Sequence, residues 1–508
     1  MATKEPLILP NNIKPKGVAK GDVGLMNREG TLTAIDWNGV ETSVLGINPS
    51  NSVVVGAAST DLLRGESLFE AYSAAKLLTP NGLALSATNR AQVVLPPGKY
   101  QVEETFVLDA NFVDILSLVT DPPSRRRTTD NDPDPNSLTL DLTSFRPQTT
   151  LIYTEVEKLN CVEQTAANVR LSGFSIAQIG SLANFVDLGE LEWGAFMIGD
   201  VDNSESTYTN MYFWCGGVAY ATAGGVRAYE SFAGSWYNCI ANGASFRTGY
   251  GDQTTPSAVF SAKMYDCEAG PYSFIGDFFT GRSAFYSVAG ARFERCKCIG
   301  TVYGGEAGGS AFAGCTAVAI PLGSDCWFVD CEAGDLSFGL GVVNAANFIR
   351  CRAGASCFGA SASNTAPATF SGYAEDCFAG HDSFGGRIAA ADSAAASCKL
   401  TGTLVRCTVT GNTRPINLDG ATIRDSRITT TTTGQNCLVL LDSDSQITGS
   451  ELIVLQGGTG VPINAGSAFN VVAVANRMNN ATNDADGLGA NVTNLVASSG
   501  NVVSNSIR

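Results

Sequence analysis

The chain has 508 residues, with 32 Lys+Arg, 48 Asp+Glu and a single histidine, His381. At about 100–200 residues per domain this length allows two to four domains or one long repetitive one, and a net charge of −16 without a long basic run argues against nucleic acid or an anionic membrane as partner. One histidine excludes a His-cluster metal site, and no run approaches about 18 apolar residues, so no membrane insertion is expected.

Residues 1–60 begin with a stretch broken by Pro6, Pro10 and Pro15 that lacks the apolar core of a secretory signal. Synthesis in a reducing cytosol follows, where the 15 cysteines read as small packed hydrophobes, not as a disulfide framework. Residues 61–118 hold a helix and the start of the repetitive part. Ser67-Leu-Phe-Glu70 has capping-box spacing and Leu68, Tyr72 and Ala75 form an apolar stripe, which predicts a helix over 66–78. A strand and tight turn follow at Val93-Val-Leu-Pro-Pro-Gly98-Lys-Tyr100-Gln-Val102. Residues 119–150, with Arg125-Arg-Arg127 and Asp130, Asp132 and Asp134, read as a solvated loop or a contact to a neighbouring chain.

From about residue 210 one phrase recurs, Cys-x-Ala followed by an aromatic, at Cys239, Cys267, Cys331, Cys351 and Cys377, with weaker copies at Cys215, Cys296, Cys315, Cys407 and Cys437. Each unit reads as two short strands around a turn, the second near Ser-Phe. A unit this small buries its apolar face only by stacking on its neighbours. The predicted fold is therefore all-β: a right-handed single-stranded parallel β-helix over 151–475, with a short N-terminal capping helix and weaker coils at 476–508. Alternation turns Cys267 and Ala269 inward together, as it does Cys296 and Cys298, and the residues flanking the cysteines outward. Those flanks run Asp266/Glu268, Arg295/Lys297, Gly314/Thr316, Asp330/Glu332, Arg350/Arg352, Asp376/Phe378 and Arg406/Thr408, so acidic and basic coils tend to alternate. The main consequence of such a ladder is register, not catalysis.

The helix leading into VVLPPGKYQV resembles the start of the pectate-lyase-like β-helix superfamily, and Gly21 to Ile35 is similar to head-proximal segments of bacteriophage tail fibres and tailspikes. The resemblance implies a homotrimeric virion protein of the tailspike type, made in the host cytoplasm, bound to phage tail proteins through residues 1–60, with its β-helices toward a host surface polysaccharide. A bacterial surface or head-decoration protein is the weaker alternative on the same fold.

Two classes of activity remain open: a receptor-binding spike, and a polysaccharide depolymerase acting as glycoside hydrolase or lyase. A glycosidase needs two carboxylates about 5–5.5 or 6.5–9.5 Å apart. The densest acidic and aromatic patch offers Glu190, Glu192, Asp200, Asp202 and Glu205 as carboxylates and Trp193, Tyr208, Tyr212 and Trp214 as sugar platforms. A loop packed on the solenoid accounts for the same patch. A lyase would draw on Asp330/Glu332 with Arg350/Arg352, which the charge ladder also explains. Cys296-x-Cys298 is too close for a metal knuckle, His381 reads as a surface turn residue, and neither a cofactor nor a metal is expected.

Overall fold

The computed structural model describes the strands at 23–28, 31–36 and 41–43, then 51–118, 149–157, 159–179, 194–215, 224–241 without 230, 245–248, 259–269, 287–298 without 289, 324–333, 338, 343–359, 369–385, 398–431, 437–440, 445–454, 462–465, 471–478 without 475, 495–497 and 502–503. Short strands recur once per coil and pair in parallel with their counterparts in the next, giving a three-sided parallel β-helix. The long sheet has sixteen strands, from Ser52–Val54 to Leu495–Ala497. A second side runs from Gly98–Gln101 to Lys297–Cys298, and resumes at Phe378–Ala379 through the single-residue bridges Lys297–Glu332, Glu332–Arg352 and Arg352–Phe378. The third side is built from shorter pieces, among them Phe106–Leu108 to Arg247–Thr248 and Val343–Asn344 to Ile463–Ala465. Ahead of the solenoid, Val23–Arg28, Thr31–Asp36 and Glu41–Ser43 form an antiparallel meander.

The single α-helix among the described residues, Asp61–Lys76, closes the first coil. It begins earlier than the capping-box spacing predicts: Thr60 is the N-cap, its side chain accepting from the Leu63 N–H at 3.2 Å. Leu68, Tyr72 and Ala75 are buried as their stripe requires, with Tyr72 edge-on to Phe106. Gly65 allows the close approach, since a Cβ there would lie 1.7 Å from the Gln101 carbonyl oxygen. The long sheet also starts before the helix, at Ser52, ahead of the 61–118 segment assigned to its start, because Ser52–Val54 pairs with Gln92–Val94.

One feature of the repeat is conformational. At the corner between the long and second sheets a single residue per coil is left-handed: Asn210, Asn238, Asp266, Arg295, Asp330, Arg350, Asp376, Arg406 and Asp425, all with φ between 51° and 56°. Asn and Asp tolerate this region and Arg does so rarely. Each arginine's N–H donates to the next coil, as Arg295 to the Val329 carbonyl at 2.8 Å, so stacking compensates the local cost. The Ser-Phe half of the phrase is a second corner, not a strand: Phe246, Phe338, Phe358 and Phe384 have φ of 55° and their rings lie fully buried. Phe338 stacks on Phe358 at 4.9 Å and Phe358 on Phe384 at 4.6 Å.

Inward positions after the first corner form a file that runs through Phe174 and Met211, continues as Cys239, Cys267, Cys296, Cys331, Cys351, Cys377 and Cys407, and goes on to Ser426, Ser450 and Asn476, all buried. Two copies in the sequence reading leave this file. Cys215 sits four residues past Met211, which takes the place expected of it, since Tyr212 pairs with Ile240. Cys437 leads into Leu438–Leu440 on the third side, and Ser426 and Ser450 hold the inner file instead. Cys315 lies outside the described residues. Thirteen cysteines with described side chains are all buried.

Candidate functional site

The sequence-derived patch divides. Glu190, Glu192 and Trp193 lie outside the described residues, as do Arg125–Arg127. Asp200, Asp202 and Glu205 are exposed on the turn between Gly194–Ile198 and Thr207–Thr209. Buried Asn203 pins that turn, donating to the Ala233 carbonyl at 3.2 Å and accepting from the Ala233 N–H at 3.0 Å, while Asp202 accepts from the Ser204 N–H at 3.0 Å. The three carboxylates stay on the solvent side of the corner.

The proposed sugar platforms Tyr208, Tyr212 and Trp214 are buried, and this corrects the sequence reading. Tyr208 points into the solenoid, stacks on Trp236 at 3.7 Å and donates to Gln164 Oε1 at 2.6 Å; burial raises its hydroxyl pKa. Tyr212 and Trp214 flank inward Phe213, so they project from the other face of the second sheet. There they pack with Leu151, Tyr153, Ala177 and Ile240, and Trp214 Nε1 has no hydrogen-bond partner among the described residues. Aromatic residues at these positions lend their faces to packing.

Exposed aromatics stand instead on the outer face of the long sheet. Strands Ser235–Tyr237, Lys263–Tyr265, Arg292–Glu294, Trp327–Val329, Asn347–Ile349 and Tyr373–Glu375 stack in register, and their middle residues point inward. Their outer residues form two columns. One runs Ser235, Lys263, Arg292, Trp327, Asn347 and Tyr373, and the other Tyr237, Tyr265, Glu294, Val329, Ile349 and Glu375. Tyr237 is 41% and Trp327 38% exposed, and the Tyr237 and Tyr265 rings lie parallel at 5.0 Å. Simple alternation from Cys239 assigns Tyr237 to the interior. The left-handed Asn238 between them reverses the side, which is why the sequence reading missed this column. The signal was the Asn or Asp that precedes Cys239, Cys267, Cys331 and Cys377, a residue type that favours the left-handed region.

Along the edge of this face the charge ladder is realised as bidentate pairs. Arg295 donates to Asp266 at 2.8 Å through both Nε and Nη2, Arg350 to Asp330 at 2.6 and 2.7 Å, and Arg406 to Asp376 at 2.7 and 3.0 Å. Arg406 also reaches Glu375, which accepts from Tyr373 Oη at 2.8 Å, and Arg292 binds Glu294. The Arg350 hydrogen bonds hold the Asp330 carboxyl below its ordinary pKa, those of Arg406 do so for Asp376, and Tyr373 with Arg406 does so for Glu375. The residues a lyase would use are thereby accounted for: Asp330 is bound by Arg350, Glu332 pairs with Lys297 at 3.4 Å, and Arg352 lies over the Phe378 ring at 5.5 Å.

Chemically, this face offers flat aromatic edges, hydroxyls and cations, with its carboxylates already bound. Glu294 and Glu375 stand three coils apart, about 14 Å at ~4.8 Å per coil, beyond either glycosidase spacing. Among the described residues no three His, Cys, Asp or Glu side chains converge on a metal position, and no helix is long and apolar enough to cross a membrane.

No protein-family model matches the chain, and no curated protein matches it. Solved structures similar to it include the mannuronan C-5 epimerase A-module of Azotobacter vinelandii, at 12% identity over 89% of this chain and 98% of that one, TM-score 0.35. The Dettilon tailspike protein is similar at 9% identity over 91% of this chain and 69% of that one, TM-score 0.25. The surface adhesin PfbA of Streptococcus pneumoniae is similar at 11% identity over 84% and 91%, TM-score 0.29. The chain thus has phage tailspike and other parallel β-helix proteins among its structural neighbours.

Proposed function

We propose that the chain is a tailspike of a phage virion, a homotrimer held to the tail through residues 1–60, and that it binds a host surface glycan along the outer face of the long sheet without cleaving it efficiently. The observation that carries this reading is the outward aromatic stripe: exposed Tyr237 and Trp327 and half-buried Tyr265 and Tyr373 stand among Lys263, Arg292 and Asn347 on stacked strands. Sugar binding needs aromatic surface and a few polar groups. General acid catalysis needs a protonated carboxyl near neutral pH. Asp330, Glu375 and Asp376 are held in the opposite state by their hydrogen bonds to Arg350, Arg406 and Tyr373.

The test pairs binding with cleavage. Purified protein should adsorb to host cells, Trp327→Ala and Tyr237→Ala should weaken adsorption, and host polysaccharide incubated with the protein should keep its chain length. Shortened polysaccharide, abolished by Asp200→Ala, Asp202→Ala or Glu205→Ala, would establish a depolymerase instead.

A further inference from the structure

Seven thiols stand in one file inside the solenoid, Cys239, Cys267, Cys296, Cys331, Cys351, Cys377 and Cys407, each at most 2% exposed. The strands that lead into them pair in unbroken succession, so each thiol is one coil from the next. They also share one geometry. Every Sγ lies 3.4–3.5 Å from the carbonyl oxygen two residues before its own cysteine. Six of the seven also lie 3.3–3.6 Å from a carbonyl of the preceding coil, at the same register position each time. Side chains in one rotamer, repeated by one translation, put neighbouring sulfurs one coil apart, about 4.8 Å.

Two metal–thiolate bonds of about 2.3 Å placed end to end span about 4.6 Å. An ion that accepts two thiolates in line therefore fits between successive coils without moving the backbone. A disulfide, with sulfurs about 2 Å apart, would need both side chains to leave this geometry. Ions that require three or four ligands find none, because no three ligating side chains converge among the described residues. The file is buried among apolar side chains, so the assembled group must be neutral, which two thiolates and a divalent cation satisfy and two thiolates with a monovalent cation do not.

We propose that this file is a binding site for soft divalent d10 cations in linear two-thiolate coordination, one ion between two adjacent coils. Each ion replaces two S–H bonds by two metal–sulfur bonds and releases two protons to solvent, with no change of oxidation state. Each thiolate serves one ion, so seven thiols hold three ions and leave one thiol over.

This counting gives a test that thiol reactivity alone does not mimic. Cys331→Ser divides the file into three and three, which hold one ion each; Cys296→Ser divides it into two and four, which hold one and two. Serine is accommodated in the file, as Ser426 and Ser450 continue it. The full chain and both variants are refolded without oxygen in the presence of Hg²⁺, washed with excess small thiol, and metal per chain is counted alongside far-ultraviolet circular dichroism. Cysteines elsewhere contribute equally to both variants, so the expected result is that Cys331→Ser retains one ion fewer than Cys296→Ser and that Cys296→Ser matches the parent. Equal retention in the two variants, no retained mercury, or loss of the β signature on loading each overturns the proposal.

Discussion

The first coils and the repeat coils both carry arginine–aspartate pairs, and they do opposite things with them. Arg90 and Asp114 are buried, with side chains 7% and 3% exposed; Asp114 also accepts the Arg170 N–H at 3.0 Å and Arg90 donates to Asn168 Oδ1 at 2.8 Å. The pair joins three segments that share no repeat. In the repeat coils, Arg295 and Asp266 are 51% and 32% exposed, and the same contact recurs at Asp330–Arg350 and Asp376–Arg406. A buried pair fixes one junction at a high desolvation cost, whereas an exposed one costs little and serves mainly to tell one coil from the next.

Removing one partner should separate the two regimes most clearly. Asp114→Ala leaves the Arg90 guanidinium buried without its carboxylate and should cost about 3–5 kcal/mol in chemical denaturation. A comparable loss, about 3–5 kcal/mol, is expected from Phe348→Ala, which opens a cavity in the stack where Phe348 lies 4.8 Å from Phe328. Arg350→Ala should lower the melting temperature far less than either, since its partner carboxylate then meets water.

Charge reversal sharpens the contrast within the ladder itself. Asp330→Arg would stack three arginines at left-handed corners, at positions 295, 330 and 350, where repulsion acts along the coil axis. The melting temperature should fall more than for Arg350→Ala and recover with added salt, because exposed charges are screened. Adding Arg350→Asp to Asp330→Arg restores opposite charges at 330/350 and leaves like pairs at 295/330 and 350/376, so recovery should be partial. Full recovery would mean that only the bidentate pairs, and not the other adjacent coils, matter.

Much of this ladder was legible in the sequence because charge, cysteine and alanine recur at fixed offsets. Inward Cys267 and Ala269, outward Asp266 and Glu268, and the helix stripe Leu68, Tyr72 and Ala75 follow from period alone. What period could not supply was the left-handed residue, which reverses the side of everything before it. Hence Tyr237 emerged on the surface, and the Ser-Phe phrase turned into a corner. The platform residues failed for a related reason. In Tyr212–Cys215 all four residues are buried, so an aromatic-rich strand is as consistent with two packed faces as with one exposed face.

Acid should weaken the ladder in a defined window. Asp330, Glu375 and Asp376 have folded-state pKa values below their ordinary ones, so their contribution is complete above the ordinary carboxylate range and is lost as pH falls through the lowered values. Thermal melts of the parent and of an Arg350→Ala/Arg406→Ala variant should therefore differ near neutral pH and converge near about pH 2. A gap that persists in acid would assign these arginines a packing role through their stems instead.

The smallest effect on stability belongs to the exposed stripe, and it is the most informative for function. Tyr237 and Trp327 already meet solvent on one side, so truncating either removes little buried area and should move the melting temperature by only a degree or two. Adsorption to host cells should behave differently. An aromatic surface that binds sugar contributes through contact made only in the complex, so Trp327→Ala should weaken adsorption several-fold while Arg350→Ala, at the corner beside it, leaves it nearly unchanged. Phenylalanine at 237 separates ring from hydroxyl: if the ring is what the ligand touches, Tyr237→Phe binds as the parent does and Tyr237→Ala does not. Equal binding by the parent and all four variants would exclude the long-sheet face as the binding surface and leave the Asp200–Glu205 turn.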